Sequence, residues 1–192
     1  YDTRPYRIEG LKGNTNVKVF EVDHPETQSL KKEKIEMIFG GLPDHIVYVP
    51  VDFEMEGIDQ KLPCNGYDRS KKTLFLMEGL VMYIPPTAVE EMLSFIVNDS
   101  AKGSEVLFDY FIQSVVDGTS GTEKNMRDFA AQQGEPFLFG IEDGAAEVFL
   151  KERGFSRVQN VTSDDYKNAY FCGANKDRAV CNLLSFVHAV VE

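Results

Sequence analysis

The stretch Val17-Lys18-Val19-Phe20-Glu21-Val22-Asp23 decides the fold, because its pattern of an apolar run closed by an acid returns along the chain. β-branched and aromatic residues up to Val22 are typical of a strand, and the strand pattern stops at Asp23. Pro25 then stands where the first turn of a helix tolerates proline, and Gly40-Gly41 supplies the stop. The stretch therefore predicts a strand followed by a helix.

Three further strand candidates also end on an acid. Residues 46–51 stop at Asp52, residues 73–77 at Glu78, and residues 105–108 at Asp109. The run 73–77 is apolar on both faces, as a central parallel strand is expected to be. Alternating strands and helices with short connections predict an α/β fold with a doubly wound, mostly parallel sheet.

The helix between the last two of these strands has the clearest pattern. Thr87 and Glu90 form a predicted capping box, and four apolar residues follow at the spacing of one helix face: Val89, Met92, Leu93 and Ile96. In the helix after Pro25, the simplest interpretation of the lysine run is a solvated face: Lys31, Lys32 and Lys34.

The C-terminal half departs from this rhythm. Residues 112–143 contain several Gly and Pro residues and a Ser120/Glu123 capping box, which favours a substrate-side insertion in a single domain spanning 1–192. The last two strand candidates, 156–161 and 183–191, are separated by what looks like only a loop. We expect them to form an antiparallel hairpin, which makes the last strand antiparallel.

Composition narrows the classes of partner. The chain has 192 residues and a net charge of −11, which disfavours nucleic acid and anionic membranes as partners. The longest apolar stretch is far shorter than the roughly 20 residues of a membrane span. The three cysteines lack metal-ligand spacing, which predicts reduced, buried thiols and no metal site: Cys64, Cys172 and Cys181. We also expect a cytoplasmic protein.

The acids at the strand ends suggest a binding site. In an open parallel sheet ligands bind beyond the carboxyl ends of the strands, where an acid can accept ribose hydroxyls or an adenine amino group. Carboxylates suit a cationic, phosphate-free cofactor such as S-adenosylmethionine better than a dinucleotide, and the sequence contains no GxGxxG. Two alternatives remain open: a non-catalytic nucleotide-binding or interaction domain, and a nicotinamide-dependent oxidoreductase.

Five motifs follow one another in the order found in a known family. They are Tyr1-Asp2-Thr3-Arg4-Pro5-Tyr6-Arg7, Phe20-Glu21-Val22-Asp23-His24-Pro25, Val49-Pro50-Val51-Asp52-Phe53, Phe75-Leu76-Met77-Glu78-Gly79-Leu80 with Tyr83-Ile84-Pro85-Pro86, and Leu184-Ser185-Phe186-Val187-His188-Ala189. Together they resemble the leucine carboxyl methyltransferase family, most closely its microbial branch of S-adenosylmethionine-dependent O-methyltransferases.

This resemblance implies a class I methyltransferase fold and roles for four residues. By position in the motifs, Asp23 holds the ribose of S-adenosylmethionine, Asp52 and Phe53 hold the adenine, and Glu78 lies by the methionine portion. The methyl acceptor would be a carboxylate or hydroxyl oxygen of a small molecule or of a protein C-terminus. A carboxylate acceptor needs no base, and a hydroxyl acceptor would need one, so the catalytic residue stays unassigned among Asp109, Tyr110 and His188.

The sequence departs from the family at its beginning. Members carry a central first strand and a glycine turn directly before the Asp-Thr-Arg segment, and neither precedes Asp2-Thr3-Arg4 here. We therefore expect an N-terminally incomplete domain, or one in which something else fills that place, and a fragment would bind the cofactor poorly.

Overall fold

A computed structural model describes residues 2–11, 14, 16–119 and 124–192. The chain divides into two compact units, an N-terminal unit of Tyr1–Tyr67 and a C-terminal unit of Asp68–Glu192. Each unit has its own β-sheet, so each is described separately.

In its described residues, the N-terminal unit contains a two-stranded parallel sheet and three helices. In chain order the elements are α1 (Arg4–Arg7), β1 (Val19–Asp23), α2 (Pro25–Phe39), β2 (Ile46–Pro50) and α3 (Ile58–Cys64). Strand β1 pairs in parallel with β2, and Asp23 lies opposite Pro50. The predicted strand and helix are confirmed, and α2 ends at Gly40, whose φ of 76° is the left-handed conformation that favours glycine.

One lysine of the predicted solvated face is buried. Lys31 lies on the buried face of α2 together with Gln28 and Ile35, and its Nζ lies 2.7 Å from Oε1 of Glu21 on β1. The interpretation of Lys31 as solvated was wrong, because a carboxylate within the unit compensates its charge.

The C-terminal unit contains a four-stranded sheet in the order β3-β4-β6-β5. Its elements are β3 (Leu74–Met77), a 3₁₀ turn (Val81–Tyr83), α4 (Pro86–Asn98), β4 (Glu105–Phe111), α5 (Gln113–Asp117), α6 (Lys124–Gln132), α7 (Ala146–Lys151), β5 (Phe155–Val161), α8 (Ser163–Tyr170), a second 3₁₀ turn (Gly173–Asn175) and β6 (Leu184–Val191). β3 and β4 are parallel, and β6 is antiparallel to both of its neighbours. The α/β class and the antiparallel last strand are confirmed.

The connection between β5 and β6 is more than a loop. It contains α8, which begins with a capping box in which the Thr162 hydroxyl accepts from the Asp165 amide and the Asp165 side chain accepts from the Thr162 amide. The hairpin partners were predicted correctly, and the helix between them was missed because most of its residues are polar and none of its side chains is buried.

Two other local expectations were wrong. Strand β3 is an edge strand of its sheet rather than a central one, and Leu74 and Leu76 on it are 57% and 39% exposed. Helix α4 buries the predicted face, but it begins at Pro86 after Pro85 and has no side-chain cap, so the Thr87/Glu90 capping box does not form. The N-cap residue is Pro85, whose side chain has no oxygen that could accept from the amides of the first turn.

The segment 112–143 contains α5 and α6 followed by an extended return that buries Phe137, Phe139 and Ile141. The Ser120/Glu123 capping box lies outside the described residues. Val115 of α5 packs with Phe137 in one apolar cluster, which fixes the return against α5.

Two expectations from composition can be compared with the structure. Within the described ranges, no helix combines the length and apolarity needed to cross a membrane. All three cysteines are free thiols, and all three are exposed rather than buried as predicted.

Candidate functional site

Two predicted site residues lie at the carboxyl edge of the N-terminal sheet. Asp23 is the last residue of β1, and its carbonyl oxygen accepts from the Val51 amide at 3.0 Å, directly before Asp52. The parallel ladder thus brings Asp23 and Asp52 to one edge, as the strand-end argument predicted. Both side chains are half-buried.

Each of these carboxylates keeps one oxygen available. Oδ1 of Asp23 accepts from the His24 amide at 2.8 Å, and Oδ1 of Asp52 accepts from the Glu54 amide at 3.0 Å. Among the residues that the structure describes, neither carboxylate has an ion-pair partner, and Oδ2 of each accepts no hydrogen bond. Short local bonds therefore orient both acids and leave acceptor capacity for a ligand.

A buried polar cluster includes Glu21, which is close to Asp23 on β1, and sequence patterns did not predict this cluster. Glu21, two residues earlier on β1, pairs with Lys31 and accepts from the Tyr6 hydroxyl at 3.0 Å, and the Tyr6 hydroxyl lies 2.9 Å from that of Tyr48. The Gln28 side-chain amide donates to the Glu21 carbonyl at 2.8 Å. Burial, with Tyr48 and Glu21 close by, raises the pKa of Tyr6 far above its usual value of 10.

The signal for this cluster was present in the spacing of α2. Gln28, Lys31 and Ile35 recur at i, i+3 and i+7, which is the spacing of one helix face. Ile38 on the same helix is 70% exposed, so the apolar residues of α2 do not all lie on its buried face. The polar character of Gln28 and Lys31 concealed which face of α2 is buried.

The carboxyl edge of the C-terminal sheet carries Glu78 directly after β3. Glu78 is exposed, and Gly79 follows it with φ of 60°, in the left-handed region. The Gly79 amide donates to Oδ1 of Asp109 at 2.7 Å. Glu78 thus begins a turn that hydrogen-bonds to the neighbouring strand.

Asp109 does not end a strand as predicted. Strand β4 continues through Tyr110 to Phe111, and Asp109 is an internal strand residue that is only 8% exposed. Burial raises the pKa of this carboxyl group, Glu78 raises it further, and the hydrogen bond from Gly79 opposes the shift. The strand continues because Tyr110 and Phe111 are apolar enough to be buried.

The other two candidates for a general base already have hydrogen-bond partners. Tyr110 is 2% exposed and its hydroxyl donates to Oδ1 of Asn160 at 3.1 Å. Nε2 of His188 lies 2.7 Å from Oε2 of Glu105, at the first residue of β4, so His188 is remote from the carboxyl edge of that strand.

An apolar cluster lies where β4 ends. The rings of Phe111 and Phe137 are 4.6 Å apart, and Tyr83 lies 5.6 Å from Phe137. Burial raises the pKa of Tyr83, with Glu135 and Asp109 adding to the rise. Residues of the 112–143 segment thus line the same end of the sheet as Glu78 and Asp109.

The carboxylate acceptors at these positions fit an organic ligand that carries hydroxyl and amino donors. Half-exposed carboxylates accept such hydrogen bonds, whereas no group of three potential metal-binding side chains occurs within the described part of the chain. The acids of the N-terminal edge also fit a ligand with positive rather than negative charge.

Comparisons with known proteins point to one class of enzyme. The model of the leucine carboxyl methyltransferase family matches residues 1–97. YktD of Bacillus subtilis, classed by name among S-adenosyl-L-methionine-dependent methyltransferases, is 28% identical over 191 residues, which cover 98% of this chain and 62% of YktD. The chain therefore spans about three fifths of the length of this relative.

Solved structures share the fold. Phosphoethanolamine N-methyltransferase 2 of Haemonchus contortus, in complex with phosphomonomethylethanolamine and S-adenosylhomocysteine, superimposes with a TM-score of 0.58 at 13% identity over 91% of this chain and 44% of its own. A methyltransferase of Thermotoga maritima described as S-adenosylmethionine-dependent gives 0.51 at 9% identity over 91% of this chain and 73% of its own.

These structural likenesses establish a Rossmann-like fold of the class I methyltransferase type. The family match covers just over half of the chain and includes Asp23, Asp52 and Glu78. Because the family match extends over half of its residues, the chain belongs to the leucine carboxyl methyltransferase family.

Proposed function

We propose that this protein is an S-adenosylmethionine-dependent O-methyltransferase of the cytoplasm, with a carboxylate oxygen as its acceptor. One observation carries the proposal: the parallel β1–β2 ladder places two half-buried acids, Asp23 and Asp52, at one edge with free acceptor oxygens. Family membership supports the same cofactor.

The roles of the four candidate residues follow from their positions and chemistry. Asp23 accepts from the ribose hydroxyls, Asp52 accepts from the adenine amino group, and Phe53 covers the base. Glu78 contacts the positively charged methionine portion. A dinucleotide would bring its pyrophosphate close to these acids, which disfavours the nicotinamide-dependent oxidoreductase.

The bound cofactor would supply an electrophilic methyl group on a sulfonium. The chain aligns the acceptor with that group and excludes water, because an in-line displacement depends mainly on geometry. The apolar side chains of Phe111 and Phe137 can exclude water at the carboxyl end of β4. We assign the 112–143 segment, which carries Phe137, to the acceptor side.

A carboxylate acceptor fits better than a hydroxyl acceptor. A carboxylate is already ionised at neutral pH and needs no base, whereas an alcohol or phenol needs one. Asp109, Tyr110 and His188 are each engaged, with Gly79, Asn160 and Glu105 respectively. A methyl ester is therefore the expected product, on a small molecule or on a protein C-terminus.

Cofactor binding is tested by titrating S-adenosylmethionine into the protein as its gene encodes it. Losing a hydrogen-bonded charged partner costs about 1 to 3 kcal/mol, so Asp23→Ala should weaken binding about 5- to 150-fold. Asp44→Ala is the matched control, since Asp44 is exposed and precedes β2 at the opposite end of that strand. Equal affinities of the two variants would refute the role of Asp23.

The acceptor class is tested with a tritiated methyl donor and a cell extract as the source of acceptors. Methyl esters release volatile methanol in mild alkali, and methyl ethers do not. We expect base-labile label that depends on Asp23. Label that survives alkali would overturn the carboxylate assignment and leave the methyltransferase assignment standing.

A further inference from the structure

Asp109 is a buried acid that the proposed function does not use. It lies inside β4, where its neighbours Phe108 and Tyr110 on the opposite face are buried in apolar surroundings. A carboxyl group at such a position loses hydration, and a polar group is tolerated there only when it is hydrogen-bonded. The hydrogen bond that the Gly79 amide donates to Asp109 is therefore the contact that makes this burial tolerable.

The register of the parallel strands accounts for this bond. Met77 of β3 lies opposite Phe108 of β4, so the chain leaving β3 passes beside Asp109. Oδ1 of Asp109 accepts from the Gly79 amide at 2.7 Å, across 30 residues of sequence. The acid of one strand thus fixes the turn that follows its neighbour.

The turn itself needs such a contact. Gly79 has φ of 60°, and a Cβ placed there would meet nothing within 4 Å, so backbone conformation rather than crowding favours glycine. A glycine in an exposed turn has many alternative conformations. The bond to Asp109 restricts the backbone of this turn and so the position from which the Glu78 side chain leaves it.

We propose that Asp109 is a positioning residue that holds the Glu78–Gly79 turn and so orients the Glu78 carboxylate toward the methionine portion of the cofactor. The proposal rests on the proposed cofactor role of Glu78. It predicts that Asp109 affects only ligands that carry the methionine portion, although it does not contact the ligand.

Two ligands separate positioning from a general structural role. S-adenosylhomocysteine carries the whole amino acid portion, whereas methylthioadenosine has the same nucleoside without it. In Asp109→Ala, the affinity for S-adenosylhomocysteine should fall about 10-fold, and that for methylthioadenosine by less than about 2-fold. A disturbed fold would weaken both ligands equally and overturn the proposal.

Asp109→Asn is the matched control. Its amide oxygen still accepts from the Gly79 amide, so the affinity for S-adenosylhomocysteine should stay within about 3-fold of the wild type. A loss in Asp109→Asn as large as in Asp109→Ala would overturn the hydrogen-bond mechanism. In a double-mutant cycle, Glu78→Gln should make the Asp109→Ala change nearly silent, and additive losses would contradict the coupling.

A measurement on the wild type keeps the proposal testable if Asp109→Ala does not fold. Amide hydrogen exchange should show the Gly79 amide as protected in the wild type and in Asp109→Asn. An unprotected Gly79 amide in the folded wild type would overturn the proposal. If the wild-type protein binds neither ligand, the proposed function is refuted. Amide hydrogen exchange of Gly79 would then be the test of the contact between Asp109 and Gly79.

Discussion

Removing the Lys31 side-chain charge should destabilise the N-terminal unit strongly. The side chains of Lys31 and Glu21 are 4% and 9% exposed, and their charged atoms lie 2.7 Å apart. Lys31→Met keeps the apolar stem and leaves the Glu21 carboxylate buried without its cation. Breaking a buried pair on one side typically costs about 3 to 5 kcal/mol.

This magnitude is a large share of the stability of an ordinary domain, about 5 to 15 kcal/mol in total. The chain has no tryptophan, so amide hydrogen exchange of peptides covering β1 and β2 is the suitable assay. At about 1.4 kcal/mol per tenfold change, exchange should accelerate about 100- to 4,000-fold, or reach the unprotected limit.

Two variants make the test decisive. Lys34→Met removes an exposed lysine from the same helix and should change exchange by less than about 3-fold. Glu21→Gln combined with Lys31→Met removes both charges and should recover much of the loss, because no uncompensated charge stays buried. If Lys31→Met behaves like Lys34→Met, the buried ion pair does not stabilise the unit and the reasoning fails.

Three further outcomes are expected. Burial raises the pKa of Asp109 above its usual 3.8, so its contribution to stability is greatest at low pH and is lost as pH rises through the raised pKa. In urea unfolding, the stability of Asp109→Asn relative to the wild type should therefore increase from pH 4.5 to pH 7. A stability difference that is independent of pH would contradict this. Leu93→Ala, at a fully buried position of α4, should cost about 3 to 5 kcal/mol in urea unfolding, against less than about 0.5 for Val148→Ala at a position 58% exposed; similar costs would contradict the assigned faces. All three cysteines should react with a thiol reagent without denaturant, and fewer than three fast equivalents would show a buried thiol.

Local patterns predicted the order of strands and helices. The termini of α2 follow from Pro25 and Gly40, and the buried face of α4 follows from apolar spacing around Leu93. These features depend on residues near one another in sequence. Strand-end position likewise predicted that Asp23 and Asp52 share an edge, because a parallel ladder requires it.

The features that sequence reasoning missed depend on partners distant in sequence. The burial of Lys31 depends on Glu21, and the burial of Asp109 depends on the Gly79 amide 30 residues away. Strand β3 is apolar on both faces, yet its position in the sheet is set by which strands pair with it. Periodicity within one segment contains no information on such contacts.

The carboxyl edge of each sheet, taken by itself, has the same kind of arrangement of acids. In each case a buried acid accompanies an exposed or half-exposed candidate acid. Glu21 precedes Asp23 by two residues on β1, and Asp109 accepts from the amide of the residue that follows Glu78. Lys31 compensates the charge of Glu21, whereas Asp109 has no cation partner in the described parts of the chain and is held by a backbone amide.

This difference separates the roles of the two buried acids. A buried ion pair can often be exchanged for apolar side chains without loss of stability, and the charge of Glu21 is compensated by Lys31 of α2. A buried acid without a cation lowers stability at neutral pH, and stability alone would favour an apolar residue at position 109. The loss of stability caused by Asp109 is explained if the turn that carries Glu78 must keep one geometry. A site that is selective for the methionine portion requires such a fixed turn.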